Sequence, residues 1–166
     1  KLDFDGYALG GLCIGESKKD MLEMAKASKV VIPDDKPVYL MGVGSPEDII
    51  AGIREGIDIF DSIYPTQLAR HGTIFTWNGY LKIKSSKYQD EELPLDPKCD
   101  CYVCKNYTRK YIHYLTKVEE PTSKIYKSYH NLYFLQKLVK KCREEIQKGT
   151  FDIFSNDILN KYNATK

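Results

Sequence analysis

Three apolar runs, residues 7–12, 38–41 and 57–63, are separated by two helix-forming stretches, and this alternation limits the fold more than any other feature. Strands that recur every 20–30 residues with a helix between them pair in parallel, through right-handed crossovers. The first run ends at Gly10-Gly11, and the following helix spans residues 18–28 with Met21, Leu22, Met24 and Ala25 as its apolar positions. Pro37 opens the second strand, which ends at Gly42-Val43-Gly44. Ser45 then reads as an N-cap, with Pro46 at the first helical position and Glu47 and Asp48 in the first turn. Ile49, Ile50 and Ile53 give that helix its buried face. Three such units cannot close a barrel, which takes eight. The expectation is therefore either a small open sheet or a chain that lacks its N-terminal strands, and the start at Lys1 favours the second.

The remainder changes character. Residues 73–77 and 80–84 flank Asn78-Gly79, the signature of a β-hairpin with a type I′ turn. A proline-bounded loop over residues 91–97 follows, then helical patterns over 107–118 and 131–148. In the latter, Leu132, Leu135, Leu138, Val139, Cys142 and Ile146 form the apolar stripe. Lys137, Lys140, Lys141 and Arg143 ride outside it, Gly149 closes the helix, and residues 150–162 form a last helix. At 166 residues, with 42% apolar and 12% aromatic side chains, the chain can bury a core and is not a disordered polymer. No apolar run approaches the ~20 residues of a membrane-spanning helix. The near-neutral total, 25 basic against 23 acidic residues, hides an asymmetry. Residues 1–98 carry 12 basic and 16 acidic side chains, whereas residues 99–166 carry 13 and 7. The C-terminal third can thus attract a polyanion, or simply present a solvated lysine-rich face.

Five cysteines are an odd number for a disulfide framework and point to a reducing compartment. Cys99, Cys101 and Cys104 form C-x-C-x2-C, close enough for three thiolates to converge on one soft cation, and tetrahedral zinc then needs a fourth ligand. Spacing alone leaves two candidates. His113 falls inside a helical run, while His130 heads a helix after a loop, from which its ring could reach back. Four protein ligands leave no open position, so this zinc is structural.

Parallel β/α units expose reactive groups at the carboxyl ends of their strands. Three clusters fall there: residues 10–16, residues 42–45, and Asp61 with the loop over 65–72. Glu47 and Asp48 argue against a phosphate at the G-x-G turn. Asp61 interrupts the apolar run of Ile57, Ile59, Phe60 and Ile63, which is expected to wall it off from water, so its carboxylate needs partners or a task.

Four stretches resemble the tRNA-guanine transglycosylase family, in its order and over residues 6–154. They are Gly-Gly-Leu-Cys-Ile-Gly-Glu at 10–16, Lys-Pro-Val-Tyr-Leu-Met-Gly-Val-Gly at 36–44, Phe-Asp-Ser-Ile-Tyr-Pro-Thr at 60–66, and Cys-Asp-Cys-Tyr-Val-Cys at 99–104 with His130-Asn131. The resemblance is to the bacterial type or the eukaryotic catalytic subunit. It implies an α/β fold: the C-terminal part of a (β/α)8 TIM barrel with a zinc-binding insertion subdomain. The implied parts are residues 1–72 as the last barrel units, 73–130 as hairpin and zinc subdomain, and 131–166 as C-terminal helices.

The resemblance also implies the chemistry. The family exchanges guanine at the wobble position of GUN-anticodon tRNAs for preQ1 or queuine, and Asp61 matches its nucleophile, which attacks C1′ of the ribose. Gly11 and Leu12 match positions whose backbone meets the base, and Glu16 and Met41 match positions lining its pocket. Gly42, Val43, Gly44, Ser45, Pro46, Glu47 and Asp48 match one RNA-contacting loop, and Thr66, Gln67, Leu68, Ala69 and Arg70 another. His130 becomes the fourth ligand of one structural zinc beside Cys99, Cys101 and Cys104. A cytoplasmic enzyme is implied, dimeric through the zinc region with an identical or related subunit. Two positions depart from the pattern: Gln67 stands where arginine is usual, and Cys13 replaces a smaller residue. The family's general acid/base lies upstream of Lys1, so residues 1–166 alone are expected to be inactive. The alternatives are a non-catalytic zinc-containing partner subunit, for which Gln67 speaks, or a tRNA-binding fragment.

Overall fold

The computed structural model describes residues 3–165 and divides after Tyr64 into two compact units. Helix and sheet are mixed in the first unit as the alternation requires. Strands β1 (Tyr7–Leu9), β2 (Val38–Leu40) and β3 (Ile59–Phe60) form a parallel sheet in the order β1-β2-β3, with Tyr7 beside Val38 and Leu40 beside Phe60. Helices α1 (Lys18–Lys29) and α2 (Pro46–Arg54) connect them. Ser17 caps α1 by accepting from the Asp20 amide at 3.1 Å, and Ser45 caps α2 by accepting from Asp48 at 3.2 Å. Met21, Ala25, Val38, Leu40, Ile49, Ile50 and Ile57 make the buried core of this unit. Lys18 bonds Asp48 at 2.6 Å and lies 3.6 Å from Glu47, tying the two helices at their N-terminal ends.

The strands are shorter than their apolar runs. The run over residues 57–63 contributes only Ile59 and Phe60 to the sheet. Phe60 packs so closely on α2 that a Cβ on Gly52 would stand 2.7 Å from its ring, so a glycine is required at that crossing. The expected dry wall around Asp61 is absent in this unit: Ile59 is 50% and Ile63 75% exposed.

In the second unit, α3 (Tyr64–His71) leads into β4 (Thr73–Thr76) and β5 (Gly79–Lys82), which pair antiparallel. The turn is not type I′, because that requires positive φ at both central residues and Asn78 does not adopt it. Gly79 takes φ +98° instead, so the turn over Trp77-Asn78 is followed by a left-handed glycine. Thr76 explains the choice: its hydroxyl donates to the Gly79 carbonyl at 2.7 Å and accepts from the Asn78 amide at 3.2 Å. A side chain at residue 79 would run into the Thr165 hydroxyl and come within 2.7 Å of the Lys161 carbonyl. Gly79→Ala is therefore expected to cost about 2–4 kcal/mol, combining backbone strain with a clash against a helix. A stability loss, taken as midpoint shift times m-value, below a quarter of that cost would show that the hairpin and C-terminal helix separate without penalty.

After a 3-10 turn at Ser86–Tyr88, four α-helices among the described residues complete this unit: α4 (Tyr102–Asn106), α5 (Arg109–Lys117), α6 (Pro121–Gln147) and α7 (Phe151–Ala164). Helix α6 begins at Pro121, well before residue 131, so His130 lies within it and does not head it. Its buried stripe runs through Lys127, His130, Asn131, Phe134, Leu135, Leu138 and Cys142, while Leu132 and Ile146 are exposed. Burial and the like charges of Lys84 and Lys124 push the Lys127 amine down to about 8, and its nitrogen donates to Thr116 at 3.0 Å. Gly149 ends the helix as expected: its amide bonds Ile146 O at 3.0 Å and the Thr150 amide bonds Glu145 O at 2.9 Å, a Schellman pattern.

Candidate metal centre and strand-end carboxylate

The three sulfurs of Cys99, Cys101 and Cys104 and one ring nitrogen of His130 lie within 4.8 Å of one another, in the second unit. Local structure makes the convergence. Cys101 is the N-cap of α4, and its Sγ accepts from the Cys104 amide at 3.4 Å, which turns both thiols to one side. The Cys99 amide bonds Asp96 O at 3.0 Å, bending the chain so that a third thiol joins them. Asp96 is itself buried, and its carboxylate accepts from the Trp77 and Lys98 amides at 2.7 and 2.9 Å, joining this loop to the hairpin.

His130 arrives from α6. Its Nε2 donates to the Phe75 carbonyl at 2.9 Å, so that in the neutral imidazole Nδ1 is the bare nitrogen, facing the sulfurs at 3.3, 3.4 and 3.8 Å. A carbonyl that fixes the tautomer of a ligand histidine is the usual outer partner of a metal site. The Cys101 thiol is held below its ordinary range, first by hydrogen bonds from Cys104 and then from Cys99, while the same contacts push Cys104 up. Three sulfur donors and an imidazole nitrogen, on two buried and two half-buried residues, fit a soft, four-coordinate cation. His113 takes no part: its Nδ1 bonds the Ile83 carbonyl at 2.7 Å. Beside His130, Asn131 accepts from the Phe75 amide at 3.0 Å and donates to the Thr73 and Pro65 carbonyls at 3.1 Å. The Cys3His cluster and the hairpin are thus joined through α6.

The first unit carries the carboxylate. Parallel register sets Tyr39 beside Ile59 and Leu40 beside Phe60, so Asp61 emerges just past the sheet next to the β2 turn. The Tyr39 hydroxyl donates to Asp61 Oδ1 at 2.6 Å and the Gly42 amide donates to the same oxygen at 3.1 Å. These two bonds, the tyrosine's first, hold the Asp61 carboxyl below the usual carboxylate range, so it stays ionised through neutral pH. Gly42 adopts φ +83°, and a Cβ there would stand 3.3 Å from Cys13. The β1 turn comes to the same strand ends, with the Met41 amide on Leu9 O at 3.1 Å and Met41 Sδ 3.2 Å from where Gly10 would carry a Cβ. Glu16 folds back to accept from the Ile14 amide at 2.8 Å, Gly11 is exposed at φ +78° and Leu12 is half-buried. Burial first, then the charges of Asp48, Glu16 and Asp61, raise the Cys13 thiol above its ordinary value.

Of the loop after β2, Gly42 is exposed, Val43, Gly44, Ser45, Pro46 and Glu47 are buried, and Asp48 is half-buried on Lys18. On α3, Gln67 and Arg70 are exposed, Thr66 and Leu68 half-buried, and Ala69 buried. Sequence reasoning missed Tyr39 and Asp96. Tyr39 passed as an apolar strand position, and only the register reveals that its hydroxyl meets Asp61.

Comparison with known proteins identifies a family. A family model described as queuine tRNA-ribosyltransferase matches residues 1–164. A queuine tRNA-ribosyltransferase of Halothermothrix orenii is 48% identical over 161 residues, 97% of this chain and 43% of that protein. Its namesake from Francisella tularensis subsp. tularensis (strain WY96-3418) is 45% identical over 162 residues, 98% of this chain and 44% of that protein. The chain therefore spans less than half the length of the relatives it matches.

Proposed function

The chain belongs to the queuine tRNA-ribosyltransferase family, and on that premise we propose that it carries the nucleophile and metal centre of a tRNA-guanine transglycosylase. The observation that carries this reading is Asp61, an ionised and exposed carboxylate at the end of β3, held by Tyr39 and Gly42. In the proposed exchange, a carboxylate oxygen of Asp61 attacks C1′ of the ribose at wobble position 34 of a GUN-anticodon tRNA. The C1′–N9 bond breaks and its electron pair leaves with guanine. Guanine takes a proton at N9 from the family's general acid; a preQ1 or queuine nitrogen then gives its own proton to that group and attacks C1′, the ester bond breaks, and Asp61 departs as a carboxylate. Two inversions give net retention, as in retaining glycosidases. The bonds from Tyr39 and Gly42 serve the second half, because a carboxylate they stabilise is a good leaving group.

Gly11 and Leu12 meet the base through their backbone in this reading, and Glu16 and Met41 line its pocket. RNA is held by residues 42–48, reached through exposed Gly42, and by residues 66–70, led by Gln67 and Arg70. The metal is zinc, one per chain, bound by Cys99, Cys101, Cys104 and His130; with four protein ligands it holds structure and leaves no open position for chemistry. In the whole protein the first unit belongs to a (β/α)8 barrel and residues 73–130 form a zinc-bearing insertion. The enzyme is cytoplasmic and dimerises through the zinc region; no helix among the described residues is long and apolar enough to cross a membrane.

The test is base exchange by the complete protein. Labelled guanine is expected to enter a GUN-anticodon tRNA and to be chased out by preQ1 or queuine. A complete, zinc-loaded protein that binds this tRNA yet incorporates no label overturns the proposal.

A further inference from the structure

The second unit contains a cleft of about 360 Å3 that none of the roles above uses. Trp77, from the β4–β5 turn, and Phe154 and Ile158, from α7, supply apolar walls. Lys98, Lys141 and Lys161 stand around them, against Asp157 as the one acidic lining residue. The size is that of a small-ligand site. Packing holds the aromatic wall in place: the Trp77 ring lies 5.1 Å from that of Phe134 and 6.4 Å from that of Phe154, and the Trp77 amide is bound to Asp96. The three cations differ. Lys161 bonds Asp157 at 2.6 Å and Lys141 bonds Glu145 at 2.7 Å, whereas no acidic group among the described residues pairs with the Lys98 ammonium.

Each simple occupant wastes part of this surface. An apolar guest covers the rings and leaves the positive rim without a counter-charge. An inorganic anion reaches Lys98 and leaves the rings wet. A planar ring that carries a phosphate uses both, stacking on the aromatic wall while the anion meets the free ammonium. We propose that this cleft binds a nucleotide, its base against Trp77 and Phe154 and its phosphate at Lys98. The same chemistry has two sources, a free mononucleotide or an unpaired nucleotide within an RNA strand.

Trp77 forms part of the cleft wall, so quenching that Trp77→Phe abolishes reports on the cleft directly. The complete protein is titrated with uridine monophosphate and, separately, with a four-residue oligouridylate. Saturable quenching is expected. Lys98→Ala should raise the half-saturating concentration at least about fivefold, the loss of one charge-assisted hydrogen bond. Lys98→Arg should restore most of that loss, and Lys117→Ala, on α5, should change nothing. Lys98 is exposed, so its replacement leaves the core intact, and zinc content confirms that neighbouring Cys99 still binds. Equal affinity for both probes assigns the cleft to a free nucleotide. Much tighter oligonucleotide binding with a steep salt dependence assigns it to RNA. Absence of saturable quenching by either probe up to about 10 mM, the weak limit of a useful site, overturns the proposal, as does quenching that Lys98→Ala leaves unchanged.

Discussion

Asp61→Asn in the complete protein is expected to reduce base exchange by several orders of magnitude while leaving folding, zinc content and tRNA binding near their original values. The amide keeps the shape of the carboxylate and can still accept from the Tyr39 hydroxyl and the Gly42 amide, which meet one oxygen. It cannot form the ester at C1′, since an amide oxygen is a poor nucleophile and carries no full charge to stabilise a developing oxocarbenium ion. The wild-type protein should therefore give a tRNA adduct that survives denaturing electrophoresis, and Asp61→Asn should give none. The pH dependence has a definite sign. Tyr39 and Gly42 depress the folded carboxyl's pKa, so activity from this group is fully present at neutral pH and is lost only as pH falls through that lowered value. If Asp61 merely organised the β2 turn, asparagine would preserve those two hydrogen bonds and most of the activity. An active, adduct-forming Asp61→Asn enzyme ends the assignment.

The parts of this fold legible in the sequence are those written in local chemistry. Ser45-Pro46 marks the start of α2 and Gly149 the end of α6, because a cap side chain and a left-handed glycine act within a few residues of themselves. What escapes is whatever depends on distant partners. The buried stripe of α6 opens with Lys127, His130 and Asn131, three polar residues that a search for apolar periodicity passes over, so the helix is expected ten residues too late. They are buried because each has found a partner elsewhere: the Thr116 hydroxyl for Lys127, the Phe75 carbonyl for His130, and the carbonyls of Thr73 and Pro65 for Asn131. The hairpin turn fails for a related reason. Asn-Gly favours type I′ in isolation, but the Thr76 hydroxyl and the packing of residues 161–165 on Gly79 select another geometry. At the carboxylate, sequence marks Asp61 as an intruder in an apolar run, yet its holder Tyr39 lies on a different strand and becomes visible only through register. The proposed metal ligands divide the same way, with three cysteines legible by spacing and the histidine carried on a helix whose start the apolar periodicity misplaces.

Removing zinc is expected to unfold the second unit rather than loosen one loop. The four ligands come from the loop before α4, from α4 itself and from α6, and the ligand histidine is also bonded to β4 through Phe75. Structural zinc contributes about 10–16 kcal/mol of apparent binding free energy at neutral pH, comparable with or larger than the whole stability of a small domain, about 5–15 kcal/mol. Without the ion, three thiols and an imidazole are left packed together with one another as their partners. A chelator added to the zinc-loaded protein should thus abolish the cooperative melting of residues 65–165 and the amide-exchange protection of Ile74 and Phe75. His130→Ala should do the same even with excess zinc, since it deletes both a ligand and the bond to Phe75. His113→Ala separates this account from a general intolerance of buried histidines. It removes a bond to Ile83 and leaves the metal cluster whole, so it should lower stability by about 1–3 kcal/mol and retain one zinc per chain. A protein stripped of zinc that melts unchanged, or a His130→Ala variant that keeps its full zinc equivalent, contradicts the proposed ligand set. The comparison also dissects the construction. If His130→Ala loses hairpin protection while a Cys99→Ala variant still binding zinc keeps it, the hairpin depends on the imidazole bridge to Phe75, and the ion acts by holding that bridge in place.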